Sequence, residues 1–376
     1  MPGLARDRMS LVDRLFAINW SFLLLLTMIA GIGFASLYSA AGGHFDPWAG
    51  KQMARFALGM AGLIVTAMID IRIWRKLAYP FFGFVCLLLL WVELKGHIGM
   101  GAQRWINLGF MQLQPSELMK VATVLALARL FSGATPDDVR NPLFLLLPLG
   151  MIAVPVGLVL SQPDLGTALT ILMVSGAMFF LAGVSYWMFG LALAGVAAAV
   201  PLSWMFLLRD YQKKRVETFL NPESDPLGSG YHITQSKIAL GSGGITGKGF
   251  LEGTQSRLNF LPEKQTDFIF TLFTEEWGMV GGLGLMALFI LLLAYGYVMA
   301  FQSQNQFGRL LSAGILSNFF FYIFVNTGMV MGLLPVVGVP LPLVSYGGTV
   351  MLSVLFGFGL FMSAYVHRDT KRQGMD

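Results

Sequence analysis

Five ionisable side chains stand where a chain this apolar should carry few. Asp267 lies in LNFLPEKQTDFIFTLFTEEWG, residues 258–278, where a polar stretch runs into a long apolar one. Arg104, Glu117 and Lys120 fall within GMGAQRWINLGFMQLQPSELMK, and Asp164 within SQPDLGTAL. Charges in or beside lipid are costly, so each is a functional candidate. Carboxylates with cations are the residue types of proton transfer and anion holding. Each also has a structural reading. Glu117 and Lys120 are three apart, hence neighbours on a helix face, and form an ion pair closing a helix end. Arg104 is an interfacial anchor, and Asp164 an N-cap at a positive helix end. Asp267 caps the span that follows it.

Other chemistries find no support. GSGGITGKG imitates a phosphate loop, but Ser242 stands where the first Gly belongs and Gly249 where Ser or Thr is required. The histidines at 44, 97, 232 and 367 show no metal-ligand spacing. A single cysteine, Cys86 in VCLLLLW, rules out an internal disulfide and a Cys-based metal cluster, and reads as a small apolar residue in a span.

The elements that must position these residues are membrane helices. The chain is 56% hydrophobic and 12% charged, far from the roughly 25% charged of soluble domains. Residues 15–38 carry no formal charge, enough to cross a hydrocarbon core of about 30 Å, and form a retained first span rather than a cleaved signal. Ten apolar segments recur, near 17–38, 56–71, 77–94, 116–131, 143–160, 165–183, 188–207, 268–300, 310–331 and 349–366. Backbone in lipid must satisfy its own hydrogen bonds, so the expected fold is all-α: a polytopic integral membrane protein of about ten transmembrane helices with one large external loop.

Basic residues set the orientation. A cytoplasmic N-terminus puts Arg6, Arg8, Arg14, Arg72, Arg75, Lys76, Arg129, Arg140, Arg309, Arg368, Lys371 and Arg372 inside, against Lys51, Arg55, Lys95, Arg104 and Lys120 in short outer connections. Both termini are then cytoplasmic. The net charge of +5 is modest, and no nucleic-acid partner is expected. The loop of about 209–267 is too small for a core of its own and should form short helices lying on the membrane, held against the spans. GLLPVVGVPLPLVSYGGTV, residues 332–350, has three prolines and four glycines, so it is a cavity-lining loop or a plain connector, not regular helix. By this topology Arg104, Glu117, Lys120, Asp164, the prolyl loop and Asp267 share the outer face, which favours one polar site built from several connections.

GAQRWINLG, QPSELMK, QPDLGTAL, GYHITQSKIALGSGGITGKGFLEGTQS, LPEKQTDFIFTLFTEEWG and LPLVSYGG, in this order, resemble the SEDS family of shape, elongation, division and sporulation proteins. The likeness covers all ten spans. GAQRW, the YHI before TQSKIA and GTQS ahead of LPE place it with the rod-shape branch. Val350, where the family usually has Ser after Thr, and Lys264-Gln265 are departures.

The resemblance implies one membrane domain over 1–376 containing the loop 209–267, similar in fold to the GT-C-like polyprenyl-phosphate glycosyltransferases. It implies a peptidoglycan glycosyltransferase of the bacterial cytoplasmic (inner) membrane that joins lipid II into β-1,4 glycan on the outer face, beside a class B penicillin-binding transpeptidase and other elongation-complex membrane proteins. Asp267 matches the family's essential acid. Arg104, Glu117, Lys120 and Asp164 match its other polar positions, and Lys248 and Ser345, inside matched motifs, complete the expected substrate-binding set.

The leaving group would be a polyprenyl diphosphate, already a stable anion. One base therefore suffices, whereas glycosidases need a second carboxyl to protonate theirs. Asp267 would take the proton of the acceptor sugar's 4-hydroxyl, with inversion. Arg104 would grip phosphate oxygens bidentately and Lys120 add a point charge. Phe260, Phe268 and Phe270 line the lipid boundary or, as is commoner, pack in the bundle. The sequence assigns no certain cofactor. A divalent cation, Mg or Mn, would suit the diphosphate, but the sequence holds no dedicated cage. The rival readings are a lipid II flippase, which should spread its polar residues through the midplane, and a scaffold in which Asp267 is replaceable.

Overall fold

The structure is a computed structural model describing residues 9–99, 102–107, 109, 112–206, 210–225, 228–254 and 263–368. Arg6, Arg8, Lys371, Arg372 and Phe260 lie outside the described residues.

A short helix α1 (Leu11–Ala17) precedes the long helices α2 (Trp20–Ala40), α3 (Ala49–Met68) and α4 (Ile71–Lys95). Next come strands β1 (His97–Gly99), β2 (Ala102–Asn107) and β3 (Gln112–Leu113), then α5 (Pro115–Gly133) and the short α6 (Pro136–Arg140). Helices α7 (Pro142–Ser161), α8 (Leu165–Ala182) and α9 (Tyr186–Phe206) follow. The large loop contributes α10 (Asp210–Leu220) and α11 (Ser229–Ser242), and the chain ends with α12 (Ile269–Phe301), α13 (Gln306–Val330) and α14 (Gly348–Val366). Ten of these helices fall on the ten apolar segments. The fold is nearly the all-α one expected. The correction is a small antiparallel sheet, β1-β2-β3, folded within the connection between α4 and α5.

Eight of the ten long helices are long and apolar enough to cross a membrane by composition; α3 and α5 are not among them. The reason is visible in α5, where 15 of 19 residues are buried. It packs against α4, α8 and α13 and is enclosed by protein. Its side chains answer to a protein interior rather than to lipid, so Glu117, Lys120 and Thr123 are tolerated there.

Helix α12 is broken once. Gly278 has φ 64°, and the backbone groups freed at the break are met by the glycine-rich turn after α11: Lys248 N–H donates to Glu275 O (3.1 Å), Gly249 N–H to Glu276 O (3.0 Å), and Met279 N–H to Gly244 O (2.9 Å). A break in a membrane helix is tolerated where protein re-satisfies the backbone in this way. The turn that imitates a phosphate loop is therefore a structural clasp. Of the large loop's helices, α11 is held against the spans as expected: it packs on α12, and Ser236 Oγ donates to Val330 O (3.0 Å), while α10 packs on α11.

The prolyl segment between α13 and α14 is no plain connector. Leu341, Leu343 and Val344 are buried, and the segment lies against α2 at Gly33, where a Cβ would come within 2.6 Å of Val344 Cα. Gln52 on α3 donates to Ser345 O (2.9 Å). At the other end of the bundle, Arg14 donates to Met68 O (2.7 Å) and Ser363 to Ile69 O (2.7 Å), which ties the N- and C-terminal helices to the α3–α4 turn.

Candidate active site

One end of the bundle opens into a cavity of about 1030 Å³ walled by five connections: α2–α3, α4–α5, α7–α8, the segment before α12, and the prolyl segment. Asp267, Arg104, Glu117 and Asp164 all line it.

Asp267 does not cap α12. Phe268 is the N-cap residue and no side chain bonds that helix end. The capping alternative fails, and the acid is held instead by its backbone. Asn326 Nδ2 on α13 bridges Asp267 O (2.9 Å) and Val339 O (2.8 Å). Ser345 Oγ donates to Thr266 O (2.6 Å) and accepts from Leu341 N–H (2.8 Å), while Tyr346 N–H donates to Gln265 O (2.8 Å). Asn326 and the prolyl segment thus clamp the strand of chain carrying the acid, and Gly338 (φ 74°) keeps its own wall bare, 3.5 Å from Asp267 Oδ2 to where a Cβ would stand. Among the described residues nothing hydrogen-bonds the carboxylate itself. Burial, with the negative charge of Glu263, raises its pKa from 3.8 to about 7, against the opposing pull of Arg215. A carboxyl with that pKa is matched to accept a proton near neutral pH.

Asp164 is the N-cap of α8: Oδ1 accepts from Thr167 N–H (3.2 Å) and Oδ2 from Thr167 Oγ1 (2.9 Å). Gln114 Nε2 also donates to Oδ2 (3.0 Å), so the cap doubles as cavity wall. Arg104 on β2 donates through Nε to Gln162 O (3.0 Å) and through one Nη to Pro163 O. Two of its N–H groups are spent fixing the turn that presents Asp164, and the guanidinium is a wall with a fixed plane.

Glu117, in the first turn of α5, accepts from Lys120 Nζ (2.8 Å) and from the Tyr322 hydroxyl. The ion-pair alternative holds, though inside the bundle: the two side chains are 4% and 1% exposed. Lys120 Nζ also lies 4.1 Å from the Tyr322 ring centroid and does not line the cavity. The expectation of a free point charge for phosphate is corrected accordingly, since its charge is already shared between a carboxylate and a π face.

Lys248 and Ser345 also stand away from the cavity wall. Lys248 Nζ bonds Glu275 Oε1 (2.7 Å) and Thr254 Oγ1 (2.7 Å), buttressing the clasp at the α12 break. Ser345 acts on the backbone that carries Asp267. Phe268 and Phe270 are buried in the bundle, their commoner fate.

Residues that chemistry-first reading passed over also line the cavity: Trp48, Arg55, Gln114, Glu263, Tyr346 and Thr349. In the sequence Arg55 reads only as a topological charge, and Tyr346 only as part of LVSYGG. Thr349 Oγ1 joins α14 to the sheet, donating to Gln112 O (2.9 Å) and accepting from Gln114 N–H (3.2 Å). Among the described residues no three His, Cys, Asp or Glu side chains converge as a metal cage.

Residues 13–370 match the model of the cell cycle protein family FtsW/RodA/SpoVE. The chain is 45% identical over 349 residues to the peptidoglycan glycosyltransferase MrdB of Escherichia coli K12, covering 92% of this chain and 93% of that protein. It superposes on a chain of a peptidoglycan synthase complex, solved to describe coordination of polymerization and crosslinking, with TM-score 0.82, 32% identity, and coverage of 94% of this chain and 99% of that one. The rod shape determining protein RodA of Thermus thermophilus gives TM-score 0.70 at 29% identity, with coverage of 94% and 98%.

Proposed function

From the premise that the chain belongs to the FtsW/RodA/SpoVE family of cell cycle proteins, the SEDS family, we propose that this multi-pass membrane protein is a peptidoglycan glycosyltransferase that polymerises lipid II, with Asp267 as general base. The observation that carries the mechanism is the state of Asp267: an uncapped carboxyl, clamped by its backbone and shifted to about 7, in the wall of a cavity that also holds guanidinium groups.

The acceptor 4-hydroxyl attacks the donor's anomeric carbon as its proton passes to Asp267. The anomeric carbon–oxygen bond breaks with inversion, and the diphosphate departs as an anion held by cationic groups of the wall. Asp267 then returns its proton to water. No second carboxylic acid is needed, which suits a site where Glu263 accepts from Thr266 and where Glu117 and Asp164 are already engaged by Lys120, Tyr322, Gln114 and Thr167. Those two carboxylates shape the wall rather than move protons. Arg104, with its plane fixed, is the bidentate phosphate ligand.

The distribution of basic residues supports cytoplasmic termini and a cavity on the outer face of the bacterial inner membrane. The whole chain then works as one membrane domain, with 209–267 as an external loop. The likeness to a chain of a peptidoglycan synthase complex supports a class B penicillin-binding transpeptidase as partner, with further elongation-complex membrane proteins around the pair.

The test is reconstitution with the transpeptidase and labelled lipid II in vesicles. A ladder of glycan strands is expected. Movement of lipid II between leaflets without polymer would make the protein a flippase instead.

A further inference from the structure

The cations in and around the site are not equally occupied. Arg104 spends two donors on main-chain carbonyls, Lys120 is paired within the bundle, and Lys248 is committed to the α12 clasp. Arg55, on the first turns of α3, lines the cavity and makes no hydrogen bond among the described residues, and its Nη1 is shut off from solvent with no partner. Leaving a buried donor unmet is costly, and more so for a charged one, so a site that keeps such a group has a use for it.

Its surroundings are built to hold the guanidinium and leave its donors free. The group lies over the Tyr346 ring, Cζ 4.8 Å from the centroid. Stacking on an aromatic face fixes the plane without consuming an N–H. Gly348 gives it room: a Cβ there would stand 3.1 Å from Nε and 3.2 Å from Cζ. One turn earlier on α3, Gln52 donates to Ser345 O (2.9 Å) and accepts from Gly347 N–H (3.4 Å), which locks the turn carrying Tyr346 and Gly348 to the helix carrying Arg55. The first turn of α14 begins at that point with no side-chain cap, and its residues Gly348, Thr349 and Val350 line the same wall. Its N–H groups and the helix dipole are of the sign an anion needs.

We propose that Arg55 is a diphosphate-binding residue of the site, gripping phosphate oxygens of a polyprenyl-diphosphate substrate against the Tyr346–Gly348 turn, on a wall distinct from that of Arg104. Glycosyl transfer between two lipid-linked sugars brings two diphosphates to one cavity, and two arginine walls on separate elements, α3/α14 and β2/α8, give each its own cation. This assignment rests on the glycosyltransferase reading above for its choice of ligand.

The test measures binding apart from turnover. Purified full-length protein in detergent is titrated with polyprenyl diphosphate and, separately, polyprenyl monophosphate, following the fluorescence of the cavity residue Trp48 in a variant whose other tryptophans are replaced by phenylalanine. Arg55→Gln should raise the Kd for the diphosphate at least tenfold and that for the monophosphate by less. Arg55→Lys, which keeps the charge over Tyr346 but loses the fork, should fall between. The melting temperature of both variants should stay close to that of the parent. Steady-state polymerisation by Arg55→Gln should show KM for lipid II rising more than kcat falls. Unchanged diphosphate affinity in a folded Arg55→Gln protein overturns the assignment, and so does a loss equal for diphosphate and monophosphate or one fully restored by lysine. If wild-type protein binds diphosphate through Arg55 yet makes no polymer, the glycosyltransferase reading fails while the binding assignment stands.

Discussion

Replacing Glu263 by glutamine removes the negative charge that, after burial, does most to raise the pKa of Asp267. The substitution is conservative in the fold. Glu263 Oε2 accepts from Thr266 Oγ1 (2.9 Å), and a glutamine amide oxygen accepts that bond equally well. Burial is the larger of the two causes lifting Asp267 from 3.8 to about 7. The carboxylate of Glu263 therefore carries the smaller share of that rise. The sign follows from the chemistry. A general base works deprotonated, so activity falls as pH drops through its pKa, tenfold per unit below it. Without Glu263's charge Asp267 ionises at lower pH, and the acid limb of kcat/KM against pH moves to lower pH, by less than half of the rise from 3.8 to about 7 because burial is the larger cause. Arg215→Gln, which removes the opposing charge, moves that limb the other way. The assay is initial-rate polymerisation of labelled lipid II from pH 5 to 8. A limb that stays in place in Glu263→Gln, or shifts to higher pH, refutes the electrostatic account of Asp267.

The remaining predictions concern the scaffold. Lys120→Met leaves Glu117 without its cation inside the bundle and should destabilise the protein by about 3–5 kcal/mol, read as a lowered melting temperature in detergent. A phosphate ligand would show instead as a raised KM at unchanged stability. Ser345→Ala removes the hydroxyl that joins Leu341 N–H to Thr266 O, costing about 1–3 kcal/mol and lowering kcat by loosening the segment that presents Asp267. The thermal shift and single-turnover rates together check it. Gly278→Ala would place a Cβ 2.5 Å from Ile245 O in a backbone conformation (φ 64°) that side chains rarely adopt, so folded yield in membranes should collapse.

The parts of this molecule legible in its sequence are those where one rule acts alone. Lipid forces long apolar helices, and the ten apolar segments fall on ten helices, eight of them long and apolar enough to cross a membrane. Glu117 and Lys120 could be paired from their spacing, and Asp164 read as a cap, because both depend on one helix turn. The prolyl segment declared itself by residues no helix accepts. What stayed hidden depends on tertiary partners. Enclosure of α5 by protein decouples its composition from lipid, so its charges looked like a membrane-surface feature when they are a core one. The break at Gly278 lies in GMVGGLG, which reads as continuous span until the turn after α11 supplies its hydrogen bonds. Lys248 looked available because the carboxylate it meets, Glu275, lies 27 residues on in the chain. The sheet of residues 97–113 has strands too short for an alternating pattern. Arg55 sits at the head of an apolar run and reads there as a topological charge alone, because nothing local marks the Tyr346 ring and Gly348 that hold it.

The central claim is that Asp267 moves the proton. Single-turnover polymerisation of pre-bound lipid II by wild-type protein and by Asp267→Asn, with the transpeptidase present and both forms shown folded by thermal shift, tests it most directly. The expected result is a loss of about 10²–10⁴-fold, with a residual rate that no longer falls below pH 7. Glycan strands formed by Asp267→Asn at the wild-type rate would contradict it.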